Sequence, residues 1–136
     1  FQATYDYIVD AIDLVSCKLD LIETAHRRGV PIISALGTGN KRDAQQLRIA
    51  DLSKTEGCPL ARVVRKELRA RGIVHHQVVY SPELPYAAWQ GDEAPPPGRR
   101  SIPASAMWVP AAAGLLLAQA VILSLSGADT DPGPSR

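Results

Sequence analysis

The sequence predicts an α/β fold in which helices flank a sheet. Residues 5–9, YDYIV, are a β-branched and aromatic run typical of a buried parallel strand. A helical pattern and a second apolar run at residues 30–36 follow, and strand–helix–strand order is typical of a right-handed crossover between parallel strands. Residues 45–51 alternate polar and apolar side chains, which predicts a half-exposed strand.

The composition suits one globular domain, since 136 residues that are 46% apolar can build a core. A net charge of +1 excludes neither nucleic acid nor small anions as partners. Cys17 and Cys58 fit neither a disulfide framework nor a CxxC metal pattern, which favours a reducing, cytoplasmic setting. The sequence begins without methionine, and we expect it to be a piece of a longer protein.

An acidic pair, Asp10 and Asp13, follows the first strand. In open α/β sheets ligands bind outside the carboxyl ends of the strands, and carboxylates suit Mg²⁺ and its bound phosphates. The alternative is that Asp10 tucks into the strand end and Asp13 caps the next helix. Spacing by itself favours that alternative.

The first helix is predicted to run from Asp13 to a C-terminal glycine, Gly29, after two arginines that complement the helix dipole. Charged residues, Lys18 among them, are interleaved with its apolar side chains. The apolar positions at helical spacing are Leu14, Leu21, Ile22 and Ala25.

A Gly-Thr-Gly-Asn sequence, residues 37–40, follows the second strand. A glycine-rich turn there could bind phosphate through backbone N–H groups. No helical pattern follows it, so we interpret it as a turn between strands and not as a dinucleotide fingerprint. Lys41 and Arg42 on this loop remain candidate nucleic-acid contacts.

A basic helix is predicted from Pro59 to Gly72, with an apolar stripe at Leu60, Val63, Val64 and Leu68. Five cations against one acid occupy much of the remaining surface. The pattern fits a solvated amphipathic face and a phosphate-backbone contact surface equally well. The candidate nucleic-acid contacts are Arg62, Arg65, Lys66 and Arg69.

The remaining elements are a strand at residues 75–80 and an apolar helix at residues 110–126. Adjacent histidines in that strand point to opposite faces, which argues against a shared metal site. Residues 81–103 are proline-rich and predict a long surface loop. We favour a buried core helix over a membrane span for residues 110–126. The predicted domain covers residues 1–127, and residues 128–136 form a disordered tail.

Four segments carry a resemblance: VDAID, PIISALGTGNK, ADLSKTEGCPLARVVRKELRARGI and SIPASAMWVPAAAGLLLAQAVI. Together they resemble the C-terminal half of a Rossmann-like adenylating domain of the ThiF/MoeB, ubiquitin-activating-like type, which implies a mixed sheet with flanking helices. The resemblance spans about residues 5–126 and is greatest to the tRNA threonylcarbamoyladenosine dehydratase branch. The ADLSKT–CPLA–RKEL block is its specific part, since VDAID identifies only the superfamily.

This resemblance implies adenylation of the threonylcarbamoyl carboxylate beside a tRNA anticodon, with ATP and Mg²⁺, followed by cyclisation. It implies that Asp13, the last aspartate of the family's D-A-x-D motif, holds Mg²⁺ and ATP phosphates as a catalytic residue. A homodimer is the family's usual state, and a sulfur-mobilisation protein is a candidate partner. The family's phosphate loop lies in the other half, so we expect residues 1–136 alone to be inactive.

Three other classes of protein remain open from the sequence. A sulfur-carrier adenylyltransferase commonly carries a zinc-binding CxxC pair, which these residues lack. A non-catalytic interaction module would keep the sheet and lose the nucleotide half. A membrane-attached protein would place the helix at residues 110–126 in lipid. Cys58, just before a helix, is interpreted as structural and not as a catalytic thiol.

Overall fold

The computed structural model describes residues 4–86 and 106–128. Within these ranges the strands and helices, in chain order, are β1 (Ile8–Asp10), α1 (Val15–Arg28), β2 (Ile32–Ala35), β3 (Arg48–Asp51), α2 (Pro59–Ala70), β4 (Gln77–Tyr80) and α3 (Trp108–Ser126). Short 3₁₀ turns precede and follow β3, at Ala44–Gln46 and Leu52–Lys54. Each predicted element is present, and the strands are shorter than their apolar runs.

The four strands form one mixed sheet in the order β1-β2-β4-β3. The first three are parallel, and β3 pairs antiparallel with β4. Asp10 lies beside Ser34, which in turn lies beside Val78, so β1 and β2 end at the same edge of the sheet. The mixed sheet with flanking helices is therefore confirmed, and β1 pairs on only one side within the described residues.

Helices cover both faces of the sheet because alternate strand residues point to opposite sides. Ile32 and Leu36 of β2 and its extension pack toward α1 and α2, whereas Ile33 packs toward α3. The core under α1 and α2 includes Leu19, Ile22, Leu52, Val64, Leu68, Val78 and Tyr80. The core under α3 includes Leu47, Val79, Val109, Ala113 and Leu117.

Helix α3 is buried on one side only. The prediction that it is a buried core helix is therefore correct for that side and wrong for the other. Val109 and Leu117 pack on the sheet, but Leu115 and Ile122 on the outer side are 73% and 64% exposed. Within the described residues α3 is the one helix long and apolar enough to cross a membrane. Core helices of soluble proteins meet the same requirement, so this finding is weak evidence for a span.

The predicted loop and tail lie mostly outside the described residues. Residues 81–86 contain neither helix nor strand, as predicted. Residues 87–105 and 129–136 are not among those that the structure describes. The domain boundaries predicted at residues 127 and 128 therefore remain predictions.

Gly57 is expected to be the glycine least tolerant of a side chain. Its φ is +67°, and a Cβ would lie 2.5 Å from the carbonyl oxygen of Pro82. Gly29 has the same φ of +67° with no atom within 4 Å of such a Cβ, which makes it a matched control. We expect Gly29→Ala to cost about 1 kcal/mol of unfolding free energy and Gly57→Ala at least about 3 kcal/mol. Equal losses in urea unfolding would contradict the steric part of this argument.

Candidate functional site

A cleft opens at the carboxyl ends of β1 and β2. It encloses about 270 Å³ between the loops that follow these strands and the first turns of α2 and α3. The residues that line it are Ala11, Ile12, Asp13, Ala35, Leu36, Gly37, Thr38, Leu60, Pro110, Ala113, Gly114 and Leu117. Its position is the usual ligand site of an open α/β sheet.

Asp13 is exposed on this cleft. Leu14, and not Asp13, is the N-cap residue of α1, and no side chain caps that helix. The alternative that Asp13 serves as a helix cap is therefore wrong. Within the described residues the Asp13 carboxylate has no hydrogen bond or ion pair, so its oxygens are open to a ligand in the cleft.

Asp10, by contrast, is fully buried at the strand end. One carboxylate oxygen lies 2.8 Å from Nζ of Lys18, and the other accepts a hydrogen bond from the N–H of Ile12 at 3.0 Å. Both oxygens are thus occupied by the chain itself, as the alternative for Asp10 predicted. Direct contact of Asp10 with a nucleotide does not fit this placement, and that expectation is corrected.

Lys18 is the residue of the site that the sequence did not indicate. The sequence pattern places it among the charged residues between apolar positions, yet it is 1% exposed and belongs to the buried side of α1. Its place in the sequence offered one signal, because Lys18, Ile22 and Ala25 recur at helical spacing on the buried side of α1.

Ser34, the register partner of Asp10 on β2, begins a hydrogen-bonded chain of three side chains in which Ser34 and His76 are buried and His26 is exposed. Ser34 Oγ lies 2.8 Å from Nε2 of His76, and Nδ1 of His76 lies 3.0 Å from Nε2 of His26. Burial and the nearby His26 lower the pKa of His76 from 6.5 to about 4. His76 is therefore neutral at physiological pH in the folded chain.

The depressed pKa of His76 is expected to make stability fall as the pH drops from 6.5 toward 4. In this window the unfolded chain binds a proton at residue 76 that the folded chain does not bind, so acid favours unfolding. The loss approaches about 3 kcal/mol near the folded-state pKa. Urea unfolding between pH 7 and 4.5 measures it.

His76→Gln should flatten this pH dependence, whereas His75→Gln should retain it, because the side chain of His75 is 80% exposed. Parallel slopes for the two variants would contradict the assignment to His76.

Some of the predicted nucleic-acid contacts are exposed, and others are hydrogen-bonded to other residues of the chain. Lys41 is 2% exposed and donates from Nζ to the carbonyl oxygen of Ser81 at 2.7 Å, so the expectation that it contacts nucleic acid is wrong for this structure. Arg65 is half-buried and donates to the hydroxyl of Thr55 at 2.8 Å. The exposed cations are Arg42, Arg62, Lys66 and Arg69.

The cleft offers a carboxylate oxygen donor, which suits a phosphate group with bound Mg²⁺. Mg²⁺ is commonly held by one or two carboxylates together with substrate phosphates and water. Asp13 supplies one free carboxylate at the cleft, and the described residues contain no cluster of three or more metal-ligating side chains. A metal there would depend on phosphate oxygens and water for its other ligands.

The parallel strands, the helices on both faces and the strand-end cleft define a Rossmann-like α/β domain. Solved structures share this arrangement. The Escherichia coli tRNA N6-threonylcarbamoyladenosine dehydratase TcdA in complex with ATP matches 96% of this chain with a TM-score of 0.76 and 26% identity. Its complex with AMP matches 93% with a TM-score of 0.74. This chain covers 51% of each of those chains.

Curated proteins with similar sequences are also named tRNA threonylcarbamoyladenosine dehydratase. The tRNA threonylcarbamoyladenosine dehydratase of Bacillus subtilis is 36% identical over 133 residues, which are 92% of this chain and 52% of the relative. The Saccharomyces cerevisiae dehydratase 2 is 47% identical over 85 residues, 62% of this chain and 19% of the relative. No family model matches.

These matches confirm the resemblance: nearly the whole chain is similar to tRNA threonylcarbamoyladenosine dehydratases. The chain spans about half the length of the Bacillus subtilis relative.

Proposed function

We propose that this chain forms the metal-holding part of an ATP-dependent tRNA threonylcarbamoyladenosine dehydratase. The single observation that carries the proposal is the carboxylate of Asp13, which is exposed in the cleft at the strand ends and has no partner among the described residues. The names of the relatives supply the substrate class, and the complexes of TcdA with ATP and AMP supply the class of cosubstrate.

In the proposed reaction the threonylcarbamoyl carboxylate attacks the α-phosphorus of ATP, and pyrophosphate leaves. A nucleophile within the same modified side chain then attacks the activated carbonyl and expels AMP. The net change is the loss of one water from the RNA and the conversion of ATP to AMP and pyrophosphate. The bound Mg²⁺ would neutralise charge on the departing pyrophosphate.

The residues of this chain have separate roles in that reaction. Asp13 would hold the metal on the phosphates. Lys18 would fix Asp10, which accepts the hydrogen bond from the N–H of Ile12 and so orders the backbone that leads to Asp13. The exposed side chains of Arg62, Lys66 and Arg69 would contact RNA phosphates, since each cation that meets a phosphate releases counterions.

Three further features belong to the proposal: a homodimer, a cytoplasmic location and dependence on a second half of the domain. The last follows from the resemblance, in which the glycine-rich phosphate loop lies outside the segment matched here. Residues 1–136 alone are accordingly expected to bind Mg²⁺–ATP weakly.

The test of the proposed function measures AMP release by the native gene product that contains these residues. The substrates are Mg²⁺–ATP and tRNA that carries threonylcarbamoyladenosine. We expect AMP release that depends on the modified RNA, and RNA lighter by one water in mass spectrometry. AMP release that requires a ubiquitin-like carrier protein instead of RNA would assign the sulfur-carrier reaction.

Tight Mg²⁺-dependent binding of ATP to residues 1–136 in calorimetry would refute the expected dependence on a second half.

A further inference from the structure

We propose that Arg42, Tyr86 and Trp108 form a stacking site for an unpaired base of the RNA substrate, an inference that rests on the proposed function. The guanidinium carbon of Arg42 lies 3.6 Å from the centre of the Tyr86 ring. The indole Nε1 of Trp108 donates to the carbonyl oxygen of Arg42 at 2.6 Å. These three residues, distant in sequence, are called the stacking platform.

The rings of the platform are exposed although their positions are fixed. Tyr86 is 46% exposed and Trp108 is 56% exposed. The backbone N–H of Tyr86 donates to the carbonyl oxygen of Asn40 at 2.7 Å, which attaches Tyr86 to the loop that carries Arg42. Aromatic surface that is already ordered loses little conformational entropy when a ligand covers it, so the platform is pre-organised for binding.

The acids close in sequence to Tyr86 and Arg42, which are Glu83 and Asp43, accept hydrogen bonds from backbone N–H groups. The carboxylate oxygens of Glu83 accept the N–H groups of Arg42 and Asp43 at 2.9 Å each. The carboxylate of Asp43 accepts the N–H of Gln45 at 2.9 Å. Arg42 has no carboxylate partner within the described residues and stacks on Tyr86 instead. An exposed cation stacked on an aromatic ring favours a flat, electron-rich ligand such as a nucleobase.

The elements that carry Arg42 and Trp108 also carry residues of the cleft. Trp108 lies two residues before Pro110 on α3, and Arg42 lies four residues after Thr38 on the loop that follows β2. Pro110 and Thr38 both line the cleft. The platform and the pocket therefore share two segments of the chain, the loop after β2 and the start of α3. Single-stranded RNA is recognised mainly by bases splayed onto such aromatic and arginine planes.

The test compares two substitutions that both remove the Nε1 hydrogen bond, Trp108→Phe and Trp108→Leu, in the native gene product. The probes are an RNA hairpin with the loop sequence of a tRNA anticodon arm and a blunt RNA duplex of the same stem. Fluorescence anisotropy gives the dissociation constants. We expect Trp108→Leu to weaken hairpin binding about 10-fold or more and Trp108→Phe to keep it within about 3-fold, because only leucine removes the ring. Duplex binding should change little in either variant.

Met107→Ala is the matched control, because Met107 is adjacent and 79% exposed. Tyr86→Leu tests the same platform from a second side if the Trp108 variants unfold, and it should also weaken hairpin binding. Hairpin affinity that is unchanged in Trp108→Leu or in Tyr86→Leu would overturn the stacking site, as would equal losses for hairpin and duplex. Wild-type protein that binds neither RNA would instead refute the proposed function, so the two failures are distinguishable.

Discussion

Replacing Asp13 with asparagine is expected to lower Mg²⁺-dependent conversion of ATP to AMP by the native gene product about 100-fold. Asparagine keeps the size of the side chain but removes the charge that holds a hard cation on the phosphates. Because Asp13 is exposed and makes no hydrogen bond within the described residues, the unfolding free energy should change by less than about 0.5 kcal/mol. Initial rates at varied Mg²⁺ separate lost metal affinity from lost turnover.

Asp6→Asn is the matched control for this substitution. Asp6 is also exposed, but it precedes β1 and so lies away from the strand ends that form the cleft. The two variants change the net charge equally, so a general electrostatic effect would appear in both. Rates for Asp13→Asn that equal those of Asp6→Asn would remove Asp13 from the site.

Lys18→Ala is expected to cost about 3–5 kcal/mol of unfolding free energy, the largest stability effect that we predict. The substitution leaves the Asp10 carboxylate buried, with the N–H of Ile12 as its one remaining partner among the described residues. An unpaired buried charge costs more than the pair contributes, so the double variant Asp10→Asn with Lys18→Met should recover part of the loss. Urea unfolding of Asp10→Asn, of Lys18→Met and of the double variant that combines them gives the coupling energy.

Lys54→Ala provides the control, because Lys54 is exposed and forms no ion pair within the described residues. It should change the unfolding free energy by less than about 0.5 kcal/mol. A loss below about 1 kcal/mol for Lys18→Ala would mean that the Asp10–Lys18 pair is not buried in solution as it is here.

The secondary structure could be predicted because the apolar pattern changes period along the chain. The run at Ile32–Ala35 and the alternation at Arg48–Asp51 indicated strands, and the stripe in Pro59–Ala70 indicated a helix. Antiparallel pairing of β3 with β4, which makes the sheet mixed, is carried by backbone hydrogen bonds between segments about 30 residues apart. The resemblance, and not the pattern, supplied that part of the fold.

The site was less accessible to sequence reasoning, because burial of polar residues depends on tertiary partners. Asp10 and Asp13 are the same type of residue, yet Asp10 is buried in an ion pair with Lys18 and Asp13 is exposed to the cleft. The difference follows from the start of α1 at Val15, with Leu14 in the N-cap position. Likewise, the burial of Lys41 depends on a carbonyl group 40 residues away, which no local pattern reports.

The cleft and the core share side chains. Leu36 belongs to the core under α1 and α2, Ala113 and Leu117 belong to the core under α3, and all three also line the cleft. Smaller side chains at these positions would enlarge the pocket for a bulkier substrate, but they would also leave a cavity in the core and lower the stability of the fold. Divergence of substrate preference in proteins built on this arrangement should be concentrated in the loops around the rim, where residues can vary without this double constraint.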